Sequence, residues 1–448
     1  MAKKRPSPAA AAVPVERDLL DYIDASPTPW HAVANAAARL EAKGFSPLYE
    51  REAWRLEPGG RHYVIRGGSS IAAFVVGARP PVEAGFRVVG AHTDSPGLRL
   101  KPRPGLAGAG HLLLDVEIYG SPILATWVDR DLGLAGRVVV EGRGGLETRL
   151  VRTANAVARL STVAIHLNRG VNEDGLKLDK HRHLAPAAGL LGPGEDAGEA
   201  ALAAIGEAAD ASPDALRGFD LAFFDTTPSR PVGRAGEYLA APRLDNLGSC
   251  HAGLLALLAL AERKATPDPT ALVLLFDHEE VGSGSAEGAA GAFGRDLLGR
   301  LTDAFPGSGG LSRAVSRSML VSADMAHAVH PNAPEKHDAT HLPRINGGPV
   351  VKTNANRRYA SDAETAAVFR SLCRRADVPC QEFVSRGDMP CGTTIGPLLA
   401  AGVGIRAVDV GSPMLSMHSA REMAGSADPA MMVAVLGQFL GAFAPLPW

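Results

Sequence analysis

Six consecutive apolar residues, Ala271 to Phe276, run directly into an acidic burst of Asp277, Glu279 and Glu280 with His278 inside it. An apolar run of this length predicts a buried strand. Gly282, Ser283, Gly284 and Ser285 after it predict a tight turn into a helix of small residues. Ligands of open α/β sheets gather outside the carboxyl ends of strands. A strand that ends in adjacent carboxylates is therefore a place to hold a cation or move a proton. Its ordinary alternative is a solvated acidic turn after a core strand.

The same patterning divides the rest of the chain. Helices are predicted over Val15–Ala25 and His31–Lys43, separated by Ser26-Pro27-Thr28-Pro29, the second closed by Gly44. Tyr63–Arg66 and Ser70–Val76 read as strands joined at Gly67-Gly68. Phe86–Ala91 is a further apolar run and ends in His92-Thr93-Asp94. From Leu98 the texture turns to short β segments: Leu112–Tyr119, Ile123–Val128, Arg137–Glu141, Val163–Leu167 and Asp220–Asp225, with a helix expected within Leu190–Asp210. After Asn246, helix and strand alternate. A long apolar helix, Leu247–Arg263, precedes the opening strand, and Met319–Ser322, Pro349–Thr353, Gln381–Ser385 and Ile405–Val410 read as further strands. Ser361-Asp362-Ala363-Glu364 is a capping box, and Pro429–Phe443 is the closing helix. This alternation argues for a doubly covered α/β sheet. The expected division is a disordered tail at 1–14, one domain formed by 15–97 and 235–448, and a β-rich insertion at 98–234.

Bulk properties narrow the function classes. With 448 residues the chain is long for one core, in keeping with two domains. Lys and Arg number 46 against 48 Asp and Glu, so no chain-wide basic field recruits nucleic acid or anionic lipid. Cys250, Cys373, Cys380 and Cys391 show no CxxC spacing, and free thiols in a reducing compartment are expected. The basic start MAKKRPSPAAAAVP has no strongly apolar segment and reads as a tail, not a secretion signal. No apolar run approaches the ~18 residues of a membrane span. The expectation is a soluble cytoplasmic protein with no nucleic-acid or membrane partner.

Other polar residues also terminate apolar runs. His92 ends one, with Asp94 two residues on; a metal-bound imidazole needs a carboxylate or carbonyl to fix its tautomer. Asp245 precedes a helix and would ordinarily be its N-cap. Asp324 ends a strand, and His418 follows the loop after Val410. Together His92, His418, Asp245, Asp324, Glu279 and Glu280 could serve two zinc ions sharing one bridging Asp, with one residue left over as a base. Mixed N/O ligation suits catalytic zinc, and paired metals can clamp a water and a carbonyl oxygen. His337 and His341 lack the Glu of a metal-binding helix and lie between Pro334 and Pro343; His181 and His183 sit in a basic loop.

These residues stand in blocks that resemble the aspartyl aminopeptidases, cytosolic dinuclear-zinc exopeptidases. The blocks are DASPTPWHAV, GAHTDSPGLRLKP, ATWVDRDLGLAGRV, VAIHLNRGVN, APRLDNLGS, FDHEEVGSGS, SADMAHAVHPN, GGPVVKTNANRRYAS, MPCGTTIGP and MHSAREM, in the family's order from about Val15 onward. The resemblance implies an α/β zinc-peptidase domain with a doubly covered mixed sheet, interrupted by a β-rich dimerisation domain, and assembly of dimers into a tetrahedral dodecamer. It implies that His92, Asp245 and Asp324 hold one zinc, and that Asp245 bridges to a second held by Glu280 and His418, one site being exchangeable with manganese or cobalt. Glu279 would be the general acid/base and Asp94 the partner of His92. Lys352 and Tyr359 would bind the acidic side chain and the bound substrate, His327 would be a further substrate contact, and His166 would enter a neighbouring subunit's site. Read on its own, His166 is a half-buried strand residue. The implied activity is removal of N-terminal Asp and Glu from peptides. The rivals are a catalytically silent scaffold on the same fold and a metallo-deacylase or carboxypeptidase.

Overall fold

The computed structural model describes residues 13–305 and 310–442. The expected tail through residue 12, and the end of the closing helix at Phe443, lie outside them.

The central sheet has nine strands, in the order 46–47, 61–66, 70–75, 270–276, 86–92, 319–323, 406–411, 350–353 and 381–384. Strand Thr270–Phe276 runs parallel to Phe86–His92, which runs parallel to Met319–Ala323, which in turn runs parallel to Arg406–Gly411. The flanks are mixed, since Ser70–Val75 and Val350–Thr353 pair antiparallel to this block. Every residue of Phe86–His92, Thr270–Phe276 and Met319–Ala323 is buried. Continuous apolar runs of this kind are what a sheet covered on both faces requires. One face packs on helices Val15–Ala25, Pro29–Glu41, Leu244–Ala261, Ala363–Arg375 and Asp428–Leu440. The other packs on Phe293–Asp303, Leu311–Val315 and Ile395–Val403.

Helix Leu244–Ala261 is, at 18 residues and a mean hydropathy of 1.4, long and apolar enough to cross a membrane, against the sequence expectation. It is 83% buried against the sheet and the closing helix, and its apolar surface is spent on that core.

A second sheet draws its seven strands from residues 97 to 225. Strand Leu216–Asp225 pairs with both Gly97–Gly108 and Asp131–Gly142, so the strands close into a ring around an apolar core of their own. Helix Ala197–Ala209 packs on it. Strand Gly97–Gly108 escapes a periodicity reading because Pro102 and Pro104 interrupt it, and the ladder shifts register between Leu100 and Gly105. Two expected strands are absent. Ile123–Val128 is a 3-10 turn over Leu124–Thr126, held by the Thr126 hydroxyl donating to the Ile123 carbonyl at 2.7 Å. Val163–Leu167 is an exposed turn, with the Leu167 N–H donating to the Ala164 carbonyl at 2.8 Å. Its apolar residues Val163, Ile165 and Leu167 face solvent with no strand to pair with among the described residues. A third sheet joins Arg230–Val232, Tyr238–Ala241, Glu422–Gly425, Pro413–Leu415 and Ala326–His327. The capping box of helix Ala363–Arg375 is one residue later than expected, formed by Asp362 and Thr365.

Candidate metal centre

The parallel strands bring their carboxyl ends together at one edge of the sheet. Phe276 lies opposite His92 in the ladder, so the acidic burst begins beside the histidine. Asp277 is buried, and His278 takes the left-handed conformation (φ 66°). Glu279–Val281 makes a single 3-10 turn, which Gly282 ends at φ 95°, a conformation that costs glycine little. The expected helix of small residues does not form there; turns lead on to helix Phe293–Asp303. The turn is fastened by Asp94, whose Oδ1 accepts the Glu279 N–H and whose Oδ2 accepts the Glu280 N–H, each at 3.1 Å. The Tyr119 hydroxyl, from the second sheet, donates to the same Oδ2 at 2.7 Å.

Two donor groups share Asp245. His92, Asp245 and Asp324 offer atoms that lie within 4.8 Å of one another, and so do Asp245, Glu280 and His418. His92 Nε2 is 3.4 Å from Asp245 Oδ1 and 3.5 Å from Asp324 Oδ1. His418 Nε2 is 3.6 Å from Asp245 Oδ2 and 3.3 Å from Glu280 Oε1. A third grouping of His92, Glu279 and Glu280 brings Glu279 to the same place. Asp245 is not the N-cap of helix Leu244–Ala261, a place Arg243 takes, and its carboxylate is turned to the histidines with Oδ1 free of any hydrogen bond.

The chemistry of this donor set fits divalent cations. Asp245 Oδ1 and Glu280 Oε1 are buried without a hydrogen-bond partner, an expensive arrangement unless a cation satisfies them. Both histidines hold their Nδ1 on a backbone carbonyl, His92 on Asp94 at 3.0 Å and His418 on Ser121 at 3.1 Å. That contact fixes the proton on Nδ1 and turns the Nε2 lone pair toward the carboxylates, the usual orientation of a metal-ligating imidazole. The nearest partner of His92 Nδ1 is thus the Asp94 carbonyl, with the carboxylate Oδ1 at 3.4 Å.

Crowding of acids shapes the titration here. Burial, with the neighbouring Asp324, Glu280 and Asp94 and against the pull of His92, pushes the Glu279 carboxyl up to about 8. Burial and the Asp245 charge, against the His418 contact, push Glu280 up to about 7. Burial disfavours the His418 cation, yet contacts with Asp245 and Glu280 raise it to about 11. Burial raises the Asp245 carboxyl, but the contacts with His418 and His92 prevail and lower it.

A cavity of about 480 Å³ opens over these groups. Lys352, Tyr359 and His327 line it, as does Arg358. Lys352 Nζ is buried 3.2 Å from Asp324 Oδ2 and donates to the Met325 carbonyl at 3.2 Å. His166 is exposed on its turn, not half-buried in a strand, and lies outside this lining within the chain. His278 is held between Asp277 (3.3 Å) and Ser285 (2.7 Å), and His341 contacts Asp338. Glu422 escaped the sequence reading. It is 2% exposed, and its carboxylate accepts the Asp245 N–H at 3.0 Å and the His418 N–H at 2.7 Å, tying together two ligand candidates from distant segments. Its position four residues after His418 carried no signal of that role.

The family described as Aminopeptidase I zinc metalloprotease (M18) matches residues 22–440. A probable M18 family aminopeptidase 2 of Pseudomonas aeruginosa is 50% identical over 431 residues, 95% of this chain and 97% of the relative. One from Stutzerimonas stutzeri is 47% identical over 427 residues, 95% of this chain and 97% of the relative. Among solved structures, the chain is similar to Ape4 in its complex with Nbr1, at a TM-score of 0.93 and 38% identity over 96% of this chain and 86% of that one. The S. cerevisiae mApe1 dodecamer gives a TM-score of 0.82 and 29% identity, over 95% of this chain and 96% of that one.

Proposed function

The chain belongs to the M18 family of zinc aminopeptidases, and on that premise we propose that it removes acidic residues, Asp and Glu, from the free N-terminus of peptides with two zinc ions. The observation that carries the two-ion reading is Asp245, one carboxylate shared between two donor groups with a buried, unpartnered oxygen. His92, Asp245 and Asp324 would hold one ion, and Asp245, Glu280 and His418 the other.

Zinc held there would supply Lewis acidity toward water and the scissile carbonyl. Glu279 is the chain's proton carrier. It is set beside the ligands, where burial and the neighbouring carboxylates favour its protonated form, and a carboxyl so placed can take and return a proton. It takes the proton of the attacking water as the new C–O bond forms, and delivers it to the peptide nitrogen as the C–N bond breaks. Asp94 keeps Glu279 and Glu280 in register by holding both backbone N–H groups. Tyr359, 5% exposed, and His327 at the rim would frame the substrate. Lys352 and Arg358 add two cationic side chains to the cavity lining, which supports an acidic first residue.

The likeness to a dodecameric relative supports a homo-oligomer, and we assign this chain to a tetrahedral dodecamer built from dimers. The exposed turn carrying Val163, Ile165 and Leu167 would then dock on a neighbour and lend it His166.

The test is a panel of Asp-, Glu-, Leu- and N-acetyl-Asp-peptides, assayed after chelation and again with zinc, manganese or cobalt restored. Metal-dependent cleavage of free acidic N-termini is expected. Equal turnover of neutral or blocked peptides would overturn the proposal.

A further inference from the structure

The two donor groups that share Asp245 are held by different parts of the fold. His92 and Asp324 lean on the central sheet. His92 Nδ1 rests on the Asp94 carbonyl, the Asp324 N–H donates to the Val410 carbonyl, and Asp324 Oδ2 receives the Lys352 ammonium. Glu280 and His418 lean in addition on one stretch that leaves the second sheet. It runs from the end of strand His111–Tyr119 through the turn Leu124–Thr126.

Tyr119, 9% exposed, donates its hydroxyl to Asp94 Oδ2 at 2.7 Å, the same oxygen that accepts the Glu280 N–H. The Arg99 guanidinium lies 3.5 Å over the Tyr119 ring, a cation–π contact that steadies it. Gly120 leaves room for Glu280, since a Cβ there would stand 3.2 Å from the Glu280 Cβ. The Ser121 carbonyl takes His418 Nδ1 at 3.1 Å, and the Ile123 N–H donates to the His418 carbonyl at 2.9 Å. The Thr126 hydroxyl accepts the Ala420 N–H at 2.8 Å, and Ala420 is itself buried in the apolar core of the second sheet. His418 sits at φ 67°, a conformation uncommon for a residue with a side chain, which its surroundings must hold in place.

We propose that Tyr119–Thr126 is the positioning segment of the second ion, so that the seating of the second sheet sets the affinity of the Asp245, Glu280 and His418 group and leaves that of His92, Asp245 and Asp324 unchanged. This rests on the two-ion reading above. An imidazole ligand is aimed by what its other nitrogen touches. For His418 that partner is a carbonyl of this segment, so a shift of the segment turns Nε2 away from the carboxylates. His92 takes its Nδ1 partner from two residues along its own chain, and so keeps its aim when the second sheet moves.

The test titrates the zinc-loaded full chain with a chromophoric chelator, which reads the stepwise zinc affinities. His418→Ala identifies the step that belongs to the second ion. Tyr119→Phe removes only the hydroxyl on Asp94, and Thr126→Val removes the hydroxyl that joins Ala420 to Ile123 while keeping the side chain's shape. Each is expected to weaken the second-ion step about 10-fold, and the double variant up to about 100-fold, the range for groups that orient a metal ligand. The other step should not move. Val140→Ala is the control for lost stability alone: Val140 is buried in the same apolar core but pairs with Glu147 and Leu216, and neither step should change. If the wild type shows two steps and the variants titrate like it, weaken both steps equally, or do no more than Val140→Ala, the positioning role is overturned. If the wild type takes up only one equivalent of zinc, the two-ion reading fails and the inference falls with it.

Discussion

Asp94 and Glu279 are joined through the backbone: Asp94 Oδ1 accepts the Glu279 N–H at 3.1 Å while Oδ2 takes the next N–H, that of Glu280. The same residue offers its carbonyl to His92, so one buried aspartate orients a ligand candidate from one strand end and two carboxylates from another. Asp94→Asn would turn an amide donor toward one of those N–H groups. Loss of a residue that orients metal ligands costs about 10- to 100-fold in affinity. Zinc competition against a chromophoric chelator should show a loss on that scale, and unchanged affinity would remove Asp94 from this role.

Glu279→Gln separates proton transfer from ligation. Glu279 lies outside both groups that share Asp245, so the variant is expected to keep its zinc. Losing a positioned general base costs about 10²- to 10⁴-fold in rate. Turnover measured beside elemental analysis checks this; a variant with full zinc and near-normal kcat would refute the role.

How much of this was legible depends on what each residue's neighbours in sequence say about it. Strand Thr270–Phe276 was readable because burial on both faces demands an unbroken apolar run, and the carboxylates after it stood out by contrast. His92 and Asp324 were readable for the same reason, each closing a strand buried along its whole length. Residues whose partners are remote left no such trace. Glu422 works through two backbone N–H groups, one of them 177 positions away. Lys352 ends a strand like any solvated lysine, and only the fold brings Asp324 onto its ammonium. The β segments of the second sheet were blurred by prolines that a register shift accommodates, and the turn at Val163–Leu167 carries strand-like residues without a strand to join.

Glu422 offers a test of that remote coupling. Removing one acceptor leaves a buried N–H unsatisfied, which costs about 1–3 kcal/mol. Glu422→Gln keeps one oxygen for two donors, and Glu422→Ala keeps none, so stability should fall in that order. Because the two donors belong to Asp245 and His418, one zinc equivalent should be released at lower chelator concentration than the other. Loss of both ions together with loss of secondary structure would point to general unfolding instead.

Metal-free protein should lose stability as pH rises. Glu279 and Glu280 have folded values of about 8 and about 7, above the ordinary carboxyl value, so the folded state binds more protons than the unfolded one from about pH 4.5 upward. His418, raised to about 11, contributes stability that is complete below the ordinary histidine value and lost above it, which is the same sign. Zinc needs ionised carboxylates and neutral imidazoles, so its binding releases protons and strengthens with pH. Thermal melts from about pH 7 to 9, above the range in which the lowered His31, His62, His251, His327 and His337 act with the opposite sign, should show the Tm of chelated protein falling while the increment from added zinc grows. A chelated Tm that stays flat or rises would contradict the crowding of acids described here.

Close backbone approach at Gly411 ties the fold to the centre. Strand Arg406–Gly411 ends against Asp324, whose N–H donates to the Val410 carbonyl at 2.8 Å. A Cβ at Gly411 would stand 1.9 Å from the Asp324 carbonyl oxygen and 2.8 Å from the Met325 carbonyl carbon. Both are backbone atoms, so no side chain can turn aside to make room, and the strand and the ligand loop must separate. Overpacking of this kind costs about 1–3 kcal/mol. Because Asp324 carries one of the two carboxylate donors beside His92, Gly411→Ala is expected to weaken zinc binding as well as stability. Gly437→Ala is the control: a Cβ there meets nothing within 4 Å, and its helical position should gain about 0.5–1 kcal/mol. Denaturant unfolding and zinc titration of the pair decide the point, since a Gly411→Ala protein that binds zinc as tightly as the wild type would mean that Asp324 is not held by this contact.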